Sequence, residues 1–316
     1  MNILEEGTSI RLVPDTSLPR QKSARDEFSM WNVRRFRPGL SGSRVGCFIA
    51  AIPLLCAIGL FLSWQQDEVV LRQQAVAITE NLKTDSARIR AINDWVYHNK
   101  GFVKNDRYFI VAALGPTPIQ VMQQGGECGD KSRLVAAMLA SLGIDAGLVM
   151  IAPCQHCGFI HTVVEAQYEA GRMVVDPTWD VDYPTGDGRF LGVRDLAGTN
   201  RGRERVAELR HQHLATEKIV NMPDDDATFD YAVAMNWDRS VATRTVAATL
   251  RLMGYQPETF VRPELLEDPK LLLMFLMIGL AAACVLGGFL LGLGLRSVLT
   301  RTSQPMTANK LKVSDA

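Results

Sequence analysis

The sequence predicts an α+β domain, a helix packed on an antiparallel sheet, inserted between two transmembrane helices. Three features carry this expectation. There are two long uncharged apolar runs, one strongly helix-periodic segment between them, and several short strand-like segments after that helix.

The apolar runs are "VGCFIAAIPLLCAIGLFLS" (45–63) and "LLLMFLMIGLAAACVLGGFLLGLGL" (271–295). Spanning a bilayer takes roughly 20 predominantly apolar residues, and both runs qualify. A signal peptide is a poor fit to the first run, because its approach is too long and no A-x-A site stands directly after it. Eight Arg or Lys precede Val45, and Arg296, Arg301, Lys310 and Lys312 follow the second run. The inner flanks, "QQDE" and "PELLEDPK", lean acidic. The positive-inside rule then places both tails (1–44 and 296–316) in the cytoplasm and residues 64–270 outside it. In a bacterium that is a two-pass inner-membrane protein with a periplasmic domain.

The formal net charge is zero, so there is no basic field and nucleic acid is not an expected partner. Residues 1–44 show no sustained apolar period and read as a disordered tail, although "FSMWNVRRFRPG" has the composition to lie on anionic lipid. Trp64–Leu82 reads as a helix leaving the membrane. Thr84 or Asp85 can cap the next helix, "SARIRAINDWVYHN", with Ile89, Ile92 and Val96 on one face. After Cys128, Leu134, Val135, Met138, Leu139 and Leu142 recur at helical spacing until Gly143 stops the run. "AGLVMIA" (146–152) has the continuous apolar character of a buried central strand. "FIHTVVEAQY" and "RMVVDPTWD" read as a hairpin turning at 169–171.

Cys128 stands where the periodic helix begins. Orphan backbone N–H groups and the helix dipole favour an anion there, and the thiolate is the nucleophilic form. Gly125, Gly126 and Gly129 leave room for backbone and substrate near the sulfur. A nucleophile needs a base, and the base an orienting group. His161, among apolar residues on the first hairpin strand, is the candidate base. Asp176 on the second strand is the candidate orienting acid. Singly, each has a plain structural reading: a core thiol, a core histidine, a turn aspartate before proline.

Together, "GECGDKSRLVAAMLASLGIDAGLVM", "HTVVEAQY" and "VVDPTWD" resemble, in this order, the three blocks of the transglutaminase-like superfamily, a papain-related group that includes bacterial cysteine peptidases. "RIRAINDWVYHN" is similar to the helix that precedes the thiol in that family. The resemblance covers roughly residues 85–180 and implies Cys128 as nucleophile, His161 as base and Asp176 as orienting acid. One departure stands out: where many members carry an aromatic just after the histidine, this chain has Thr162 and Val163. For the oxyanion, the Cys128 backbone N–H and the side chains of Gln123 or Gln124 are candidates.

The implied chemistry is attack of Cys128 on an amide carbonyl to give a thioester. Water resolving the thioester makes a peptidase or amidase; an amine makes a transglutaminase. A non-catalytic envelope assembly or binding module is the third reading. The expected partners are a polypeptide substrate of the cell envelope and the lipid bilayer.

Cys154 and Cys157 in "PCQHC" read as a local disulfide in an oxidising compartment. A zinc site would need further ligands, for which only His211 and His213 are at hand, so no metal or cofactor is expected. "NRGRERVAELRHQHLATEKIV" and "YAVAMNWDRSVATRTVAATLRLMGY" each read as a helix, and "PDDDATFD" as a solvated acidic loop. Gly288 and Gly292, with Ala283 and Gly287, have small-xxx-small spacing that can pair transmembrane helices in a dimer.

Overall fold

In the computed structural model, α1 (Pro38–Thr79) is one unbroken helix of 42 residues. The membrane run and the helix leaving it, separable in the sequence, are therefore a single rod. Its distal turns enter the domain: Leu71 and Ala75 are fully buried in the same core as the helices that follow. The structure describes residues 38–154, 157, 161–197, 199, 203–208, 229–237, 240–257 and 266–302. The N-terminal tail before residue 38, His156, the strand start at 159–160, His211, His213, most of the acidic loop and the C-terminal tail lie outside these.

The last helix, α7 (Pro269–Thr302), runs back along α1. At one end Lys270 Nζ meets Asp67 Oδ2 at 2.6 Å and Ser63 Oγ at 2.8 Å. At the other, a Cβ on Gly46 would come 2.9 Å from the Cys284 carbonyl oxygen and 3.0 Å from the Gly288 Cα. Gly288 thus serves a close crossing within the chain. Gly46–Thr79 and Pro269–Gly294 are the two described stretches of helix long and apolar enough to cross a membrane, and they flank the α+β domain.

Within the domain, Thr84 caps α2 (Asp85–Asn99) by accepting the Ala87 N–H. Thr117 and Gln120 form a reciprocal capping box on α3 (Pro118–Gln124). α4 (Cys128–Ser141) ends at Gly143, whose φ of +79° permits the paired Gly143 N–H→Ala140 O and Ile144 N–H→Leu139 O bonds of a Schellman turn.

The strands β1 (Ala146–Ala152), β2 (His161–Tyr168), β3 (Gly171–Asp176), β4 (Val181–Asp182) and β5 (Tyr231–Val233) form one antiparallel sheet in the order β4-β3-β2-β1-β5. One sheet face packs on α2 and α4 through Leu148, Val164, Ala166, Met173 and Val175. The other carries Val149, Ile151, Val163 and Val174 against Trp179, Val181, Tyr183, Leu191 and Phe229. Cover on both faces explains why β1 reads as a continuous apolar run.

The expectation of one helix from Tyr231 to Gly254 is corrected. Tyr231–Val233 is strand, pairing with Met150–Ala152, and only Val241–Leu252 (α6) is helical, behind a Ser240 cap. Tyr231 and Val233 favour strand, and beside an open sheet edge the segment gains more from ladder bonds than from starting a helix. A 3-10 turn (Ala112–Leu114), a short helix α5 (Val193–Leu196) and a helical turn over residues 203–208 complete the described elements.

Candidate active site

The site is assembled at the N-terminus of α4. Gly125 has φ +81°, and a Cβ there would lie 2.4 Å from the Gly101 carbonyl oxygen; one on Gly126 would lie 2.4 Å from Asp130 Cβ. These two glycines therefore let the loop press against Gly101–Val103, where Gly126 N–H donates to Gly101 O and Val103 N–H to Gly126 O. Their role is to fix the approach to the helix rather than to open space at the sulfur. Asp130 closes the turn by accepting the Glu127 N–H, and pairs with Arg133 at 3.3 Å. Burial raises the Asp130 pKa against the opposing pull of Arg133.

Cys128 is the first residue of α4 and is half-buried. The first-turn N–H groups of a helix have no intrahelical acceptor, so those of Cys128 and Gly129 are free to face an anion. One turn on, Ser132 Oγ donates to Thr162 O at 2.9 Å, tying α4 to β2 at the residue after His161. That bond sets the spacing between thiol and imidazole.

The β2–β3 register pairs Val164 with Val175, so one further step puts Asp176 opposite Val163 and one diagonal from His161 on the same face. The side chains meet: His161 Nε2 lies 2.6 Å from Asp176 Oδ2. The other carboxylate oxygen, Oδ1, accepts the Thr178 N–H at 2.8 Å, so both oxygens are engaged. His161 is 3% and Asp176 1% exposed, dry enough for the pair to interact strongly. With Nε2 on Asp176, Nδ1 is the ring nitrogen left for the Cys128 thiol, which is near enough to help raise the imidazole's pKa. Burial alone would lower the His161 pKa. The Asp176 charge and hydrogen bond, then the thiol, outweigh it and raise the value to about 9.

Three residues not singled out from the sequence complete the surroundings. The Trp179 ring lies over His161, centroids 4.0 Å apart and tilted by 31°, and shields the His161–Asp176 bond from water. Its signal was legible as the aromatic closing "VVDPTW". Lys131 is 2% exposed, with Nζ 5.8 Å from the Tyr97 ring centroid. Burial lowers its pKa while the Asp176 charge opposes the shift. It sits three residues before Leu134 and four before Val135, on the core face of α4. Tyr183 is buried nearby, its pKa raised by burial and then by the charges of Asp176 and Asp182. Gln123 and Gln124 end α3, the first exposed and the second half-buried.

Beside Glu127, Asp130 and Arg133 opens a cleft of about 570 Å³, lined also by Lys104, Tyr108 and Leu272. Cys154 and Cys157 form a disulfide in the β1–β2 connection. Among the described residues, Asp94, His98 and Asp180 bring ligand-type atoms within 4.8 Å of one another, but Asp94 and His98 are exposed and already paired at 3.2 Å.

Two solved structures resemble the fold, each named a "putative" protease. One is a cysteine protease from Cytophaga hutchinsonii, with 19% identity over 36% of this chain and 38% of that one and a TM-score of 0.30. The other is a protease from Parabacteroides distasonis, with 14% identity over 44% and 30% and a TM-score of 0.27. Nothing below rests on either. No curated protein matches the chain. The family profile described as "Transglutaminase-like superfamily" matches residues 72–177, from the distal turns of α1 to just past Asp176. Those residues are a domain of the transglutaminase-like superfamily.

Proposed function

We propose that this domain is a membrane-anchored cysteine hydrolase that cleaves amide bonds in polypeptides. One observation carries the reading: a buried imidazole bonded to a carboxylate, with a helix-terminal thiol near enough to act on its pKa. With its pKa raised to about 9, His161 is imidazolium at neutral pH, a positive charge placed to stabilise a thiolate at Cys128. The thiolate attacks the carbonyl carbon, and the Cys128 N–H at the α4 terminus receives the oxyanion. His161 Nδ1–H then protonates the leaving amine as the C–N bond breaks, leaving a thioester. Neutral His161 takes a proton from water, the hydroxide adds to the thioester carbonyl, and the C–S bond breaks to release the acid product and the Cys128 thiolate.

In the same reading α1 and α7 cross the inner membrane, both termini are cytoplasmic and the domain faces the periplasm. The Lys and Arg of the tails and the Cys154–Cys157 disulfide support that side. The test is peptide-terminus mass spectrometry on envelopes of cells carrying the wild-type chain or Cys128→Ala. New N-termini that depend on Cys128 support hydrolysis. Cys128-dependent isopeptide cross-links in their place would reassign the thioester to amine transfer, and neither product would make the domain a binding module.

A further inference from the structure

The catalytic helix lies close to the ends of the two long helices. Lys270, held by Ser63 and Asp67, marks where α1 and α7 stop being apolar, and Trp64 stands beside it, as aromatic residues do at a bilayer interface. Arg133, five residues along α4 from Cys128, is close enough to Asp268 for its charge to oppose the rise that burial causes in the Asp268 pKa. Five residues are about 7.5 Å of helix. The cleft beside Glu127 shares Leu266 and Leu272 with the outer end of α7.

On the same side, the segment before α3 displays apolar side chains to the outside. Ile110 is 72% exposed, and Phe102, Val103 and Val111 are exposed as well. Ile110 has φ +66°, a conformation a β-branched residue avoids. The loop is nevertheless held firmly: Phe109 N–H donates to Gly115 O at 3.2 Å, and Arg133 reaches Pro116 O at 3.2 Å. Phe109 lies 5.8 Å from Lys270 Nζ, which fixes the loop at the level where the long helices emerge. Lys104 and Arg107 lead into the apolar tip, with Asp106 between them.

An apolar tip held at that level, with Arg107 next to it, matches a layer of headgroups over acyl chains. We propose that Tyr108–Val111 seats in the lipid interface, so that the cleft beside Glu127 opens along the bilayer surface. The inference rests on α1 and α7 spanning a membrane, and it makes the loop a lipid-bound wall of the cleft. The occupant of the exposed patch is the bilayer that the two helices already cross.

The test places a photo-crosslinking p-benzoylphenylalanine at single positions of the full chain in nanodiscs of phosphatidylglycerol and phosphatidylethanolamine. Lipid adducts are then measured by mass spectrometry. The positions are Ile110, Leu280 in the middle of α7, and Asp187 in an exposed turn of the domain. All three side chains are exposed, so the substitutions leave the packing intact. The expected result is adduct at 110 comparable with 280 and roughly tenfold above 187. Adduct at 280 with 110 no higher than 187 overturns the lipid seat alone. Adduct at neither 110 nor 280 overturns the spanning reading and the seat with it.

Discussion

His161 Nε2 and Asp176 Oδ2 stand 2.6 Å apart, both side chains almost completely enclosed, and the carboxylate's second oxygen is held by the Thr178 N–H. Replacing Asp176 with Asn keeps the shape and removes the charge. Burial then acts on His161 without its main opponent, and the imidazole becomes neutral at pH 7. Acylation of Cys128 by a peptidyl electrophile at pH 7 is expected to fall by about 10²-fold or more. A variant that acylates at the wild-type rate would remove Asp176 from the account.

The raised His161 pKa also links stability to pH. It lies at about 9 in the fold against about 6.5 for a free imidazole, so the folded protein holds the extra proton between those two values. The stabilisation is complete below about pH 6.5 and is lost as pH rises through about 9, on the order of 3 kcal/mol in all. Urea unfolding of the full chain in detergent, run from pH 6 to 10, should show this decline. His161→Asn should flatten it.

Leu71 lies on the long α1 yet is fully buried in the domain core with Ile89, Leu134 and Leu139. Leu71→Ala should cost about 2–5 kcal/mol. Thermal unfolding of the domain, followed by Trp fluorescence, reads this. An unchanged midpoint would mean that α1 serves only as a tether.

Gly125→Ala meets two obstacles at once, a φ of +81° and a backbone oxygen 2.4 Å from the new methyl. The loop must move off Gly101, and Cys128 moves with it. We expect a loss of roughly 1–3 kcal/mol in stability together with slower Cys128 acylation. Gly143→Ala, with a similar φ of +79° but open space around the Cβ, should lower stability and leave acylation close to wild type.

Local signals in the chain were faithful guides to local structure. The Thr84 cap, the α4 start at Cys128, the Gly143 stop and the β1 limits all follow from short-range chemistry, and each stands where the sequence predicts it. The hairpin that joins His161 to Asp176 was legible, but its register was not. Register depends on which faces become covered, a property of the assembled layers. Tyr231–Val233 was read as helix because its partner strand lies some 80 residues away. Trp179 and Lys131 escaped notice for a related reason: each matters through what the fold brings beside it, the imidazole for one and the Asp176 carboxylate for the other.

The most direct test of the central claim is the rate at which Cys128 in the full chain, in nanodiscs, is acylated by a chromogenic thioester-forming ester at pH 5 to 10. Wild type, His161→Ala and Asp176→Asn would be compared. The account predicts rapid acylation at pH 7 that falls as pH passes about 9, where His161 loses its proton, with both variants slowed across the range. Acylation that is slow at pH 7, climbs steadily with pH like a free thiol and ignores both substitutions would contradict it.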